Sequence, residues 1–286
     1  MLTEFEKSLQ KLHRAGRKRF GDDWIAKLKE RRVKFERAYA TLYEQDRDPI
    51  NYASLSAQTA YVFAYAPARA EYTRQFLRRH RAKLGRPLFG SAHIKVVSFG
   101  GGPASELVGL VRYLEEEDVG EIVEKIDYVI YDKDGDWADV ATDIVKSLET
   151  QIAVEICYES VDAANRGLMA QIDLSDTDLV IFSYVMSELA RVGRKDQIAA
   201  NFRGTLGRLK INAKILFIDN LHSIFIEYFR SCKQVSGLTE MSDSGEQVLC
   251  DFYEDTVTYS LMSELLDWVP RTELKSVSKL IVRTRV

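Results

Sequence analysis

The sequence has few cysteines and lacks the patterns in which cysteine and histidine bind metals. Its three cysteines, Cys157, Cys232 and Cys250, lie far apart, and no Cys-x-x-Cys pair is present. An odd number of distant cysteines indicates neither a disulfide framework nor a zinc site. A reducing environment suits this pattern, so we expect a cytoplasmic protein without a metal centre.

Long apolar runs are also lacking. No stretch approaches the ~20 apolar residues that a membrane-spanning helix requires, and charge begins at Glu4. We therefore expect neither a membrane partner nor a signal peptide. The 286 residues are 46% hydrophobic and 29% charged. This composition is typical of a globular protein with one large domain, or with one domain and a helical extension.

The net charge of −3 hides an uneven distribution. Residues 1–93 carry 20 Lys and Arg against 10 Asp and Glu, whereas residues 94–286 carry 20 against 33. A basic front part joined to an acidic back part suggests a polyanion such as RNA as a partner. The alternative is a solvated helical surface with no partner. The sequence does not indicate an oligomeric state.

Two regions differ in their apolar periodicity. Residues 1–88 show helical spacing with basic faces, and we interpret them as an N-terminal helical region that binds substrate or acts as a lid. Residues 89–286 alternate short β-rich runs with helical segments, which predicts a mainly parallel sheet with helices on both faces. We predict strands at Ile94–Phe99, Ile126–Tyr131, Ile152–Tyr158, Asp178–Ser183, Ala213–Ile218 and Leu280–Arg285. Helical segments are predicted at Ser105–Leu114, Trp137–Leu148, Gly167–Ala170, Arg194–Leu209 and Ser223–Phe229.

A glycine-rich loop follows the first predicted strand. Gly100, Gly101 and Gly102 precede Pro103, and Glu106 lies at the start of the next predicted helix. Glycines let the backbone turn sharply and approach a ligand closely, and a helix start presents free N–H groups. A dinucleotide fingerprint needs glycine at positions one, three and six, but the sixth position here holds serine. The alternative is an ordinary β–α turn.

This loop resembles the cofactor loop of class I S-adenosylmethionine (SAM)-dependent methyltransferases, and the resemblance extends over residues 90–286. It implies a Rossmann-like fold with an antiparallel last strand at the edge of the sheet, SAM as cofactor, and cofactor contacts from the residues of the loop. The stretch Ser98–Leu107 is similar to the loop of eukaryotic large-subunit ribosomal RNA uridine methyltransferases. Tyr61–Phe76 and Asp178–Leu189 resemble a methyltransferase-like family of mitoribosome assembly proteins.

Within this fold, further candidates follow the strands. Asp132 ends the second predicted strand and can accept hydrogen bonds from ribose hydroxyls, or it can cap the next helix. Asp162 follows the third strand and can contact adenine, although surface solvation is an equal alternative. Ser183 and Tyr184 follow the fourth strand, near the methyl donor, and Tyr184 is a candidate catalytic residue.

Three further residues have two interpretations each. His222 follows the fifth strand and is a candidate base or substrate contact, or has a structural role. Glu188 can act as a base, although a glutamate on a helix surface is usually just solvated. Tyr61 lies one helical turn from Tyr65, so that both can face the pocket; the alternative is a place in the core.

The loop departs from the family pattern at two positions. Many relatives carry an acidic residue where this chain has Ser98, and a third glycine where it has Ala104. The Asn/Asp-Pro-Pro-Tyr signature of certain amino-group methylases is also absent. Three functions therefore stay open. They are a methyltransferase acting on RNA through the basic helices, one acting on a small molecule or protein under a helical lid, and a non-catalytic binding or assembly factor.

Overall fold

The computed structural model describes residues 2–116, 120–249 and 256–285, with the backbone alone described at 245–249 and 274. The first half of the chain contains, in order, α1 (Leu2–Phe20), α2 (Asp23–Ala40), α3 (Leu55–Ala64), α4 (Ala66–Leu84), β1 (His93–Phe99), α5 (Ser105–Leu114), β2 (Lys125–Asp132) and α6 (Trp137–Val145). The second half contains β3 (Ala153–Ser160), α7 (Arg166–Gln171), β4 (Leu179–Ser183), α8 (Val185–Leu189), α9 (Lys195–Leu206), β5 (Lys214–Asn220), α10 (Ser223–Cys232), β6 (Leu238–Leu249), α11 (Val257–Leu266) and β7 (Glu273–Arg283). Cys250 lies outside the described residues.

Within the described residues, seven strands form one sheet in the order β3-β2-β1-β4-β5-β7-β6. Strands β1 to β5 run parallel, and β7 pairs antiparallel with both β5 and β6. The predicted Rossmann-like α/β fold with an antiparallel last strand is confirmed. The strand order reverses between β1 and β4, and ligands of such sheets bind beyond the carboxyl ends of the strands at this point.

The sheet differs from the prediction at its antiparallel end. Strand β6, which was not predicted, occupies the edge, so that β7 lies inside the sheet. The sequence of β6 is mostly polar. It therefore contains no apolar run from which a strand could be predicted. Part of its attachment is polar, because the buried His80 on α4 hydrogen-bonds through Nδ1 to Ser242 (2.9 Å) and through Nε2 to Ser278 on β7 (2.8 Å). Helices α8 and α11 were also not predicted.

The N-terminal helices pack onto one face of the sheet. Side chains of β1 alternate, so that Val96 belongs to an apolar cluster shared with α1 to α6 while Val97 belongs to a cluster shared with α7 to α10. Helices α4 and α5 cross closely, because a Cβ on Gly109 would lie 2.1 Å from the carbonyl oxygen of Ala70. Because α5 begins directly after the glycine loop, this tight crossing fixes α4 beside the loop.

Membrane-crossing helices and metal-binding clusters are both lacking among the described residues. None of the described helices combines the length and apolar character that a membrane crossing requires. Within the same residues, His, Cys, Asp and Glu side chains form no group of three or more that could hold a metal ion.

Candidate functional site

The glycine loop after β1 forms a concave backbone surface. Gly100 has φ +66°, a left-handed conformation that favours glycine, and a Cβ there would lie 2.8 Å from the Val185 side chain. Its N–H donates to the carbonyl oxygen of Tyr131 (2.8 Å). A Cβ on Gly102, which has φ +44°, would lie in ordinary contact with Trp137, 3.8 Å from its nearest atom. Without this Cβ, a ligand can approach the backbone more closely at Gly102.

The two departures from the family pattern have structural counterparts. Ser98 is fully buried beneath Gly101, where a Cβ would lie 2.8 Å from the serine Oγ. Gly101 thus faces the protein interior. Ala104 has φ +66°, in the region where a side chain is disfavoured. A glycine at this position would adopt the same conformation without a Cβ penalty.

Asp132, the last residue of β2, holds the glycine loop through its carboxylate. The Gly102 N–H donates to Oδ2 (3.0 Å) and the Asp134 N–H to Oδ1 (2.9 Å). Burial raises the pKa of Asp132 to about 6, although these two backbone donors favour its charged form. Asp132 does not cap α6, which was its alternative role. Asp136 occupies the cap position, and its side chain makes no capping hydrogen bond.

A cavity of ≈ 540 Å³ opens beyond the ends of β1 to β4. Most of the candidate residues line it, namely Gly100, Gly102, Pro103, Asp132, Asp162, Ser183, Tyr184 and Tyr61. Gly101, Glu106 and His222 are not among the lining residues. Asp162 is engaged at the rim, because Arg194 and the Ala164 N–H donate to its carboxylate (3.2 and 2.9 Å). The structure thus brings together residues that lie far apart in the sequence.

His222 and Glu106 lie outside the lining of the cavity for different reasons. His222 is exposed, and its Nδ1 accepts the Ile224 N–H (3.3 Å) at the start of α10. Its ring is stacked near Tyr43, at 6.3 Å between centroids. Glu106 is buried behind the cavity wall, and its Oε2 atom makes no hydrogen bond of good geometry with a described residue. The Ser183 hydroxyl is nevertheless close enough to lower the pKa of Glu106.

Among the described residues, Asp132 and Glu188 line the cavity, and the carboxyl groups of Glu106 and Asp219 are buried in the protein beyond its lining. Burial raises the pKa of Glu106 and of Glu188 to about 7, and the pKa of Asp132 and of Asp219 to about 6. Asp219, at the end of β5, accepts the N–H groups of Ser187 (2.9 Å) and Asn220 (2.7 Å). An acid-rich cavity of this kind attracts a cationic ligand.

The segment of residues 41–54 between α2 and α3, here called the lid segment, covers the cavity and contacts α8. Arg47 Nη2 donates to the carbonyl oxygens of Ser187 (3.1 Å) and Glu188 (2.7 Å). The Tyr52 hydroxyl donates to Glu188 Oε1 (2.7 Å) and also hydrogen-bonds to the Tyr39 hydroxyl (3.0 Å). From the sequence, Glu188 was expected only as a possible base, and the part played by Tyr52 was not expected.

Tyr184 stands at the turn from β4 to α8 with φ +59°. Its N–H donates to the Ile218 carbonyl (2.7 Å), its hydroxyl hydrogen-bonds to Ser276 (2.5 Å), and burial raises its pKa to about 12. The guanidinium of Arg69, from α4, lies over the Tyr184 ring at 3.1 Å. Arg69 was not expected at the site, because an isolated arginine in a helical segment belongs to no recognisable pattern.

The geometry suits SAM. The backbone of Gly102, the carboxylate of Asp132 and the side chain of Ser183 all border one cavity. A family model described as "Putative SAM-dependent methyltransferase" matches residues 3–193. The chain belongs to this family. It is therefore a SAM-dependent methyltransferase, and the match includes the N-terminal helices as well as the glycine loop.

Solved structures with a similar fold are distant in sequence. An O-methyltransferase family protein from Burkholderia thailandensis is 12% identical and covers 93% of this chain and 74% of its own, with a TM-score of 0.48. The N-methyltransferase NodS from Bradyrhizobium japonicum is 10% identical and covers 76% and 98%, with a TM-score of 0.40. A protein described as a "putative RNA methyltransferase" from Pyrococcus horikoshii is 8% identical and covers 88% and 100%, with a TM-score of 0.43. No curated protein matches the chain in sequence.

Proposed function

We propose that this methyltransferase transfers the methyl group of SAM to a nitrogen of an RNA base that enters the cavity. The observation that carries the proposal is the combination of aromatic walls and an available carboxyl group. Tyr52, Tyr61, Tyr184 and Trp137 line the cavity together with Glu188. Flipped bases are bound by stacking on aromatic rings and by hydrogen bonds to their polar edge.

In this proposal the cofactor occupies the side of the cavity formed by the glycine loop. The backbone of Gly100, Gly102 and Pro103 lies along the cofactor, Asp132 accepts from the ribose, and Asp162 borders the adenine. Ser183 lies near the methyl donor. Gly101 supports the loop from inside. Glu106 makes no direct contact with the cofactor in this proposal, since it is not among the lining residues of the cavity.

Glu188 is the proposed proton acceptor. SAM supplies a methyl group from a sulfonium, and a base nitrogen that carries a proton must release this proton when it gains the methyl. Glu188 lines the cavity, and its pKa of about 7 suits a general base at neutral pH. Tyr52 orients the carboxylate through the hydrogen bond to Oε1, and Tyr61 and Tyr184 form walls that stack on the base. His222 is exposed and caps the start of α10, which supports a structural role for this residue.

Basic residues on α1 support an RNA partner. Lys7, Lys11, Arg14 and Lys18 recur at helical spacing along one exposed side of α1, here called the α1 stripe. Lys11 forms an ion pair with Asp143 (2.5 Å). Lysine and arginine on an exposed stripe neutralise phosphates without reading sequence.

A small planar molecule is the second candidate acceptor, and the lid segment favours it. Arg47 and Tyr52 attach this segment to α8 directly over the cavity. Such a closed arrangement excludes water from a small substrate.

One assay separates the two acceptors. Radiolabelled SAM is incubated with the protein and with separate pools of total RNA, protein and small metabolites, and the label in each pool is counted. We expect the label to appear in the RNA pool and to be lost from it after treatment with ribonuclease. Label confined to the metabolite pool would replace the first proposal by the second. A Glu188→Gln variant serves as the control for transfer by a contaminating enzyme.

A further inference from the structure

Arg69 on α4 is a buried cation at the wall of the cavity. Only 5% of the residue is exposed, its side chain lines the cavity, and its guanidinium stacks on Tyr184. The Nη1 atom makes no hydrogen bond with any described residue. Because an arginine keeps its charge at all ordinary pH values, the site presents a permanent positive charge with an unused donor.

The carboxyl groups near Arg69 form no ion pair with it among the described residues. Burial raises the pKa of Glu106, Glu188 and Asp219, and the charge of Arg69 opposes this rise at each of them, so all three lie within its electrostatic reach. No ion pair joins Arg69 to any of them in the part of the chain that the structure describes. A buried charge without a close partner is costly to maintain. A ligand that supplies an anion at this place would relieve that cost.

The ligand with a suitable anion is the cofactor itself. SAM carries a single carboxylate, at its methionyl end, together with two positive groups. The planar fork of a guanidinium matches a carboxylate with two parallel hydrogen bonds. We propose that Arg69 binds the methionyl carboxylate of SAM, so that α4 of the N-terminal region forms part of the cofactor site. The proposal rests on the cofactor and not on the RNA acceptor.

The strand order is consistent with this arrangement. Asp162 follows β3 and Tyr184 follows β4, and β2 and β1 lie between these strands. Three strand spacings separate the two ends by about 14 Å. A nucleoside near β2 and β3 therefore leaves the methionyl end of an extended ligand on the side of Arg69. The acid-rich remainder of the cavity suits the two positive groups of the same ligand.

Helix α4 is held firmly enough for this role. Its buried His80 hydrogen-bonds to β6 and β7, and it crosses α5 at Gly109 without room for a Cβ. The position of Arg69 is thus set by packing, and a preorganised donor binds its partner at a lower entropic cost.

The test compares ligands that differ at the methionyl end. Calorimetry measures the binding of SAM, S-adenosylhomocysteine, decarboxylated SAM and 5′-methylthioadenosine, the last of which lacks both the carboxylate and the ammonium. We expect wild-type protein to bind decarboxylated SAM at least tenfold more weakly than SAM, because a charge-assisted bidentate contact is lost. Arg69→Met should weaken SAM and S-adenosylhomocysteine by about the same factor and change the other two ligands by roughly threefold or less.

Two further variants complete the test. Arg271 also lies over a tyrosine, at 5.8 Å from the Tyr65 ring, but it is exposed and not among the lining residues. Arg271→Met should leave all four affinities unchanged. Arg69→Lys keeps the charge without the fork and should lose part of the discrimination between SAM and decarboxylated SAM. Thermal unfolding checks that each variant is folded.

The outcomes separate the possible errors. Equal weakening of all four ligands by Arg69→Met would mean that Arg69 only shapes the cavity, and the proposal would be overturned. Equal binding of SAM and decarboxylated SAM by wild-type protein would overturn it without any variant. A wild-type protein that binds none of the four ligands would remove the cofactor site as a whole, which is distinguishable from a loss of carboxylate discrimination alone.

Discussion

Glu106→Gln is the substitution whose effect on stability follows most directly from the structure. Glu106 is 3% exposed, and its Oε2 atom lacks a hydrogen bond among the described residues. Burial raises its pKa from 4.5 to about 7. The folded protein therefore keeps this carboxyl protonated over a pH range in which the unfolded chain releases the proton.

The direction of the pH effect follows from this difference. Between about pH 4.5 and 7 the folded state holds more protons than the unfolded state, so the free energy of unfolding decreases as the pH rises through this range. The complete difference between the two pKa values corresponds to about 3 kcal/mol. Roughly 2 kcal/mol of it develops between about pH 5.5 and 8.5. Glutamine has nearly the same shape as a protonated glutamate and cannot ionise, so it escapes this loss.

Urea unfolding of wild type and variant at these two pH values provides the measurement. We expect the Gln variant to gain roughly 2 kcal/mol relative to wild type between the lower and the higher pH. Glu227→Gln, at an exposed position on α10, is the control and should differ from wild type equally at both pH values. The reasoning is refuted if the difference for Glu106→Gln is independent of pH, or if wild type gains relative to the variant.

Three other predictions concern the proposed site. Asp132→Ala should weaken SAM binding in calorimetry at least tenfold, since a charged hydrogen bond is worth ~1.5–3 kcal/mol; an unchanged affinity would exclude its ribose contact. Glu188→Gln should lower kcat about 10²-fold and abolish the decrease in rate below about pH 7 that wild type should show, and a variant that keeps this decrease would contradict its role as base. Lys18→Glu should reduce the slope of log affinity for RNA against log salt concentration by about 0.7. The control Arg230→Glu, on the exposed surface of α10, should leave this slope unchanged. Equal slopes for the two variants would argue against RNA binding by the α1 stripe.

The fold was predictable because its signals are local. Strands β1, β2 and β4 are short apolar runs bounded by polar residues, and the glycine loop directly follows β1. Because the carboxyl ends of parallel strands meet at one edge of a sheet, the residue order alone predicts that Asp132, Ser183 and Tyr184 lie at the same edge. The structure confirms this sheet and shows all three residues at one cavity.

Non-local features could not be predicted in this way. Strand β6 is held by pairing with β7 and by the contact of Ser242 with His80, and the second of these joins residues 162 positions apart, so its own composition gives no signal. Arg69 becomes notable only when α4 packs beside Tyr184. The contact of Tyr52 with Glu188 depends on the path of the lid segment, which the sequence does not indicate.

The uneven charge along the chain has a partly intramolecular explanation. Several basic side chains of the N-terminal helices pair with acidic residues of the second region, for example Lys11 with Asp143 and Arg74 with Glu116. In the opposite direction, Arg112 pairs with the buried Glu4. These pairs help to attach the helices to the sheet, and the same groups cannot fully serve a polyanion. Electrostatic binding of RNA would thus depend on exposed residues such as Lys18, and its salt dependence should be smaller than the excess of basic residues in the first 93 suggests.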